Sequence, residues 1–303
     1  MDVAVLGAGT AGREIAQLCT RAGEGVNLYA EDATAVMDGI DAVERRLDDA
    51  AAGVTGDGTA PQDRLEGTTG LEAAVADAAV VIETAIEDAS GLQQRFAAIE
   101  DHVARETLVA TSRSTVRVTA AAAGLRHPDR ALGLQFHRPL TSPLVEVVVA
   151  EQTTRSATDR ARTFVEGLGA PAVTVGDTPG HAATRLGLAL EAEAMRMVAD
   201  GVAGVAGVDE TLRQRYDHPV GPLEQADRAG LENRLDTLTA LAEALGPRFA
   251  PPQLLEQRVS AGATGSDAGE GFYVWEGDEP TEPALPDPAL ARDDEGLDDP
   301  AHE

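Results

Sequence analysis

Two stretches of this chain carry residue types able to do chemistry. Near the start, Gly7, Gly9 and Gly12 form G-x-G-x-x-G directly after the apolar run DVAVL. Glycines at this spacing, between a strand and a helix, cradle a pyrophosphate. The first allows the tight turn, the second lets backbone approach the ligand, and the third lets helix pack on strand. The helix N-terminus then offers free N–H groups to the phosphates. Farther along, GLQFHRPL at residues 133–140 carries an apolar run into Gln135, His137, Arg138 and Pro139. An imidazole can take or give a proton near neutral pH, whereas the Gln135 amide can only donate and accept hydrogen bonds. In a strand, positions i and i+2 share a face, so Gln135 and His137 are expected to look into the same space.

Both stretches need elements to hold them. DVAVL (2–6) and VNLYA (26–30) read as strands, with a helix between them that stops at Gly23. Residues 34–52 read as helix and 53–65 as a Gly- and Asp-rich loop. AAVVIETA (78–85), TLVATS (107–112), ALGLQF (131–136), LVEVVVA (144–150) and PAVTVGD (171–177) read as further strands. The alternation of strand and helix predicts a parallel sheet covered on both faces. After TPG at 178–180 the pattern becomes helical through 258. The fold expected is an α/β Rossmann-type dinucleotide-binding domain, residues 1–177, followed by an all-α C-terminal domain, residues 178–275. Residues 276–303 carry 11 acids, one Arg and five Pro, and read as an acidic disordered tail.

The dinucleotide fingerprint also calls for an acid at the end of the second strand, to hold the ribose 2′-hydroxyl. That place falls on Ala30, with Glu31 and Asp32 immediately after it. Glu31 is the candidate ribose ligand, reaching from a shifted backbone. No cationic residue lies near it in the sequence to favour a 2′-phosphate, so NAD is expected rather than NADP.

Composition narrows the partners. The chain has 303 residues, 52 acids and 24 basic residues, for a formal charge of −28. Every one of those basic residues is arginine. Without the last 28 residues, 41 acids and 23 arginines still leave −18. Such a surface suits a salt-accumulating halophile, where ions screen self-repulsion, and it argues against nucleic acid or an anionic membrane as partner. Cys19 is alone, so neither an intrachain disulfide nor a cysteine metal cluster is expected. The histidines His137 and His181 find no convincing third ligand for a metal. No stretch reads as a signal peptide or a membrane span, and a cytoplasmic protein is expected.

These stretches together resemble the L-3-hydroxyacyl-CoA dehydrogenases. GAGTAGREIAQLCTRAG resembles the family's opening, VVIETAIED (80–88) its V-V-x-E-A-x-x-E-N, and LVATSRSTVRVT (108–119) its I-x-A-S-N-T-S-S-L-x-I-T. GLQFHRPLTSPLVEVV (133–148) is similar to G-x-H-F-F-N-P-V-P-x-M-x-L-V-E-V-I, one residue shorter. DTPGHAATRL (177–186), HPVGPLEQADRAGLE (218–232) and GEGFYVW (269–275) follow in family order. The resemblance implies NAD-dependent interconversion of a 3-hydroxyacyl-CoA and a 3-ketoacyl-CoA, as in fatty-acid β-oxidation. It also implies a helical second domain and a homodimer. It assigns Ser114 to the substrate oxygen, Glu146 to holding the catalytic histidine, and Glu83 to the cofactor pocket.

The match departs from the family at chemical positions. The family histidine falls on Gln135, its substrate-binding asparagine on Thr184, the neighbouring asparagine on Arg138, and a cofactor-side lysine on Leu92. His137 stands one pleat beyond the histidine position, roughly 6.5–7 Å along a strand. A general base works at about 2.6–3.2 Å, so His137 is not expected to be a simple replacement unless the shortened loop shifts Glu146 or the register. His181, where the family has Phe, is a second histidine expected to line the cleft, and Arg95, Arg113 and Arg138 are candidate phosphate contacts. The sequence thus supports a dehydrogenase with an altered site. It leaves open an impaired paralogue that binds NAD or acyl-CoA in a regulatory or scaffolding role. It also leaves open an oxidoreductase for a non-CoA 3-hydroxy acid, in which Arg138 grips a carboxylate.

Overall fold

In the computed structural model, residues 1–49, 60–114, 116–137 and 144–287 are described. The chain forms two compact units, Met1–His181 and Ala182–Glu303.

The first unit begins β1 (Asp2–Leu6), α1 (Thr10–Arg21), β2 (Gly25–Tyr29), α2 (Ala33–Asp49), β3 (Leu65–Thr68), α3 (Leu71–Val75), β4 (Val80–Glu83) and α4 (Ala89–Glu100). It continues β5 (Leu108–Thr111), α5 (Val118–Ala122), β6 (Ala131–His137), β7 (Leu144–Val149), α6 (Arg155–Gly167) and β8 (Ala172–Gly176). One eight-stranded sheet results, in the order β3-β2-β1-β4-β5-β6-β7-β8. The period of two along each strand feeds both faces. Val3 and Val5 join Ile15, Val43 and Phe164 in one core, whereas Ala4 and Leu6 join Leu92, Phe96 and Ile99 in another. Cys19 is fully buried in the first of these, and burial pushes its thiol pKa well up, so it stays an inert core residue.

Three local features differ from the sequence expectation. Within the eight-stranded sheet all neighbouring strands run parallel except β6 and β7, which pair antiparallel. Leu65–Thr68 adds an edge strand where no strand was expected. The strand is short and only Leu65 is buried, so it carries no hydrophobic alternation to read. The expected order ended at residue 275, yet β9 (Tyr273–Glu276) turns back on β10 (Glu279–Pro283) as an antiparallel hairpin. Acids and prolines marked this segment as tail, but a two-stranded ribbon is all edge and accepts both. Residues 288–303, the rest of that tail, lie outside the described residues, as do 50–59.

The second unit is otherwise helical: α7 (Ala183–Ala199), α8 (Val205–Tyr216), α9 (Pro222–Ala229), α10 (Leu231–Leu245) and α11 (Gln253–Ser260). Its core gathers Met195, Leu223, Leu238, Leu255, Phe272 and Trp275. Two buried carboxylates tie it together. Asp227 accepts the backbone N–H groups of Phe272 and Tyr273 and the Trp275 indole N–H. Asp209 accepts the N–H groups of Leu223 and Glu224 and the Tyr273 hydroxyl. Among the described residues no helix is long and apolar enough to cross a membrane.

Candidate active site

The glycine loop sits between β1 and α1 as the fingerprint requires. Gly7 has φ +119°, and a Cβ there would lie 2.4 Å from Thr84 Oγ1. At Gly12 a Cβ would meet the Gly7 carbonyl oxygen at 1.8 Å, so only glycine lets α1 close on the strand. Around the Cβ position of Gly9 nothing lies within 4 Å. That open space, against a backbone at the start of α1, is the room a pyrophosphate needs. A cavity of about 700 Å³ surrounds it, lined by the loop, Tyr29, Glu31, Glu83, Arg95 and Arg113. These residues fit a dinucleotide.

Glu83, at the end of β4, is 1% exposed. Its Oε1 accepts the N–H groups of Ala85 (2.7 Å) and Ile86 (3.2 Å), and its Oε2 lies 3.7 Å from Arg95 Nε. Burial raises its pKa, against the pull of those N–H groups and of the Arg95 charge. Its carboxylate therefore shapes the turn that walls the cavity. Leu92, the family's lysine position, is fully buried in α4 and carries no cation to the site.

Arg95 was not legible as a neighbour of Glu31. Helix α4 is capped by Asp88, whose carboxylate accepts the Gly91 N–H, and it buries Leu92, Phe96 and Ile99 against the sheet. That stripe leaves Arg95 turned toward the end of β2. Its Nη2 is 2.7 Å from Glu31 Oε1, and its guanidinium lies 5.3 Å from the centre of the Tyr29 ring. The expectation that no cation approaches Glu31 is thus corrected. It held only along the sequence, and a helix more than sixty residues away supplies the charge. Arg113, which lines the same cavity, pairs with Glu87.

Across the sheet, β6 and β7 place Gln135 opposite Glu146 and His137 opposite Leu144. Glu146 is 1% exposed, and its Oε2 lies 2.8 Å from His137 Nε2. The ring reaches back diagonally across the antiparallel pair, a span open to a long side chain. The one-pleat offset therefore does not separate His137 from the carboxylate. Gln135 is 6% exposed, and its amide Nε2 is buried without a hydrogen-bond partner. Such a donor is costly unless something else accepts from it. Arg138 lies outside the described residues.

Ser114 is exposed in the loop after β5, at the same carboxyl edge of the sheet. His181, at the end of the first unit, is buried with φ +42°, and its N–H donates to the Thr178 carbonyl. Thr184 stands in the first turn of α7, in the second unit. Among the described residues no group of three or more His, Cys, Asp or Glu is arranged to hold a metal.

The chain matches two family descriptions along most of its length: "3-hydroxyacyl-CoA dehydrogenase, NAD binding domain" over residues 2–178, and "3-hydroxyacyl-CoA dehydrogenase, C-terminal domain" over residues 180–275. It is 31% identical over 280 residues to a probable 3-hydroxybutyryl-CoA dehydrogenase of Bacillus subtilis, covering 91% of this chain and 97% of that protein. It is 32% identical over 287 residues to a 3-hydroxybutyryl-CoA dehydrogenase of Mycobacterium tuberculosis, covering 90% and 98%. Its fold is similar to the crystal structure of (S)-3-hydroxybutyryl-CoA dehydrogenase PaaH1 from Ralstonia eutropha. There the TM-score is 0.83 and the identity 28%, with 91% and 99% of the two chains covered.

Proposed function

Because this chain belongs to the 3-hydroxyacyl-CoA dehydrogenase family, with NAD as cofactor, we propose that it interconverts a 3-hydroxyacyl-CoA and a 3-ketoacyl-CoA with its proton-transfer group shifted along β6 to His137. The 2.8 Å contact between His137 Nε2 and the buried Glu146 carboxylate carries this reading. Glu146 occupies Nε2 and leaves Nδ1 to face the substrate hydroxyl. In the oxidative direction the hydroxyl proton passes to Nδ1, the O–H electron pair closes the carbonyl, and hydride leaves C3. NAD, when bound, accepts that hydride. Glu146 fixes the ring and offsets its positive charge, as a carboxylate does for a positioned imidazole. The partnerless Gln135 Nε2 donates to the substrate oxygen, and Ser114 adds a hydrogen bond to it. Gly7, Gly9 and Gly12 take the pyrophosphate, Glu31 the ribose, and Glu83 sets the turn beside them.

Residues 1–177 form the cofactor half and 178–275 the substrate and dimerisation half. Leu186 and Leu190, one turn apart on α7, are 67% and 44% exposed. This apolar stripe supports a homodimer. The −28 charge carried by arginine and acids alone supports a cytoplasmic enzyme of a halophile. The names of the relatives make a four-carbon 3-hydroxyacyl-CoA the first substrate to try.

The test is NADH oxidation with acetoacetyl-CoA in molar KCl. Steady turnover by the wild-type chain is expected, with light scattering reading twice the chain mass. A silent wild type that gains activity as Gln135→His overturns the shifted base and leaves the impaired paralogue.

A further inference from the structure

The match to the family's C-terminal domain ends at residue 275, yet the chain does not leave the helical unit there. It turns at Gly277 and Asp278, and β10 comes back along β9. Beyond the ladder itself, this strap is attached at four places. The Thr281 hydroxyl donates to the Val274 carbonyl at 3.1 Å, and the Ala284 N–H donates to the Phe272 carbonyl at 2.9 Å. Leu285, partly buried, packs against the cluster that contains Phe272 and Trp275. Farther on, the Asp287 carboxyl carbon lies 2.7 Å from where a Cβ on Gly204 would stand. Gly204 is the N-cap of α8, and the first turn of that helix carries no acid of its own. The partial positive charge of a helix N-terminus favours a carboxylate there, and the absence of a side chain on Gly204 lets it come so close.

The strap is fastened weakly and charged heavily. A two-stranded ribbon is marginal in water, and Pro280 and Pro283 remove two donors from this one. The register also shifts between Pro280 and Glu282. At the turn, Glu279 stands directly opposite Glu276. Like charges facing each other across a β pair destabilise it, and Asp278 adds a third carboxylate in the turn between them. Residues 276–287 hold five acids and no base. Among the described residues, none of Glu276, Asp278, Glu279 and Glu282 has an ion-pair partner. Two arginines of the same unit that could serve are engaged elsewhere, Arg228 with Glu224 and Arg258 with Glu270. What offsets the repulsion is therefore dissolved salt. The screening length is about 3 Å at 1 M, shorter than the roughly 5 Å between facing strand positions, and about 10 Å at 0.1 M, longer than that spacing.

We propose that residues 277–287 form a latch on the helical unit that docks in molar salt and releases in dilute salt, while the helices beneath it stay folded.

Hydrogen exchange of the full chain, read by mass spectrometry in about 1 M and about 0.1 M KCl, tests it. Amides of residues 279–287 are expected to exchange at least about tenfold faster in the dilute salt, with those of α7 and α10 changed less than about twofold. Trp275 is the only tryptophan of the chain and pairs with Pro280 across the ribbon, so its quenching by acrylamide is expected to rise over the same salt range. Glu279→Arg sets opposite charges face to face and is expected to keep the strap protected in dilute salt. Leu285→Ser is expected to leave it unprotected at both salt concentrations, with helicity by circular dichroism unchanged. If strap and helices lose protection together, or if the strap exchanges equally at both concentrations, the proposal is wrong. It is equally wrong if Glu279→Arg leaves the salt dependence where it was. Should Leu285→Ser fail to fold, Glu279→Arg decides alone.

Discussion

Replacing His137 by alanine isolates the proposed proton transfer. A positioned general acid–base group contributes about 10²–10⁴-fold, equivalent to about 2.7–5.4 kcal/mol of barrier. His137 and Glu146 meet at 2.8 Å, so they act as one unit. Glu146→Gln is expected to lower kcat, and the double variant to be no slower than His137→Ala, because removing the second member of a unit removes nothing further. Glu146 is 1% exposed, and losing its imidazole partner costs about 1–3 kcal/mol of stability. The assays must therefore run well below the melting temperature of each variant. Initial rates of acetoacetyl-CoA reduction by NADH, with saturation in both substrates, separate kcat from KM. A third variant sharpens the case. Gln135 lies directly opposite Glu146, so Gln135→His on the His137→Ala background restores an imidazole to the same carboxylate, and a recovery of at least tenfold is expected. Retention of more than about a third of wild-type kcat by His137→Ala refutes the shifted base, since the loss then falls far below that of a general base. Additive losses in the double variant refute the pairing.

Other outcomes follow from the same geometry. Gly9 has φ −74°, which any residue adopts, and open space beyond it, so Gly9→Val is expected to weaken NADH binding at least tenfold without lowering the melting temperature, by filling the pyrophosphate's room. Gly12→Ala, with its Cβ aimed at a backbone oxygen, is expected to cost stability first, about 1–3 kcal/mol or more by denaturant unfolding. Asp227→Ala leaves three donors of the closing segment without their acceptor and is expected to cost at least about 3 kcal/mol, read as early loss of the Trp275 signal on heating. Burial pushes the Glu191 carboxyl up to about 7 despite Arg234 at 2.8 Å. From the ordinary value of 4.5 to about 7, the folded chain holds a proton that the unfolded chain has released. Stability then falls as pH rises through that window, by up to about 1.4 kcal/mol per unit. Urea unfolding at pH 5 and 7.5 checks this, and Glu191→Gln should remove that component of the slope.

What the sequence made legible was local. The glycine loop could be read because each glycine answers to neighbours within one turn or strand. Most strands of the first unit could be read because burial on both faces writes a continuous apolar run. The antiparallel step at β7 could not, since strand direction leaves no mark on composition. Nor could β10, whose prolines and acids belong equally to an edge and to a tail. At the candidate site, Gln135 and Glu146 were assigned by position, but the bond between His137 and Glu146 depends on cross-strand register, which one sequence does not display. Arg95 was hidden for a different reason. Its role comes from the stripe Leu92, Phe96 and Ile99, which fixes how α4 is rotated. That stripe was there to be read, but its bearing on the end of β2 was not.

The antiparallel pairing of β6 with β7 bears on how such sites change over time. A carboxylate on one strand is within reach of two alternate positions on its neighbour, the one directly across and the one diagonally beyond. A histidine can therefore migrate between those positions by way of an ancestor carrying both, and at no stage must the carboxylate stand without an imidazole. Column-by-column inspection of such a lineage would record a lost residue and score the descendant as inactive. A survey of this fold that asked whether any imidazole contacts the strand's glutamate, rather than which column holds it, would sort retired proteins from relocated ones.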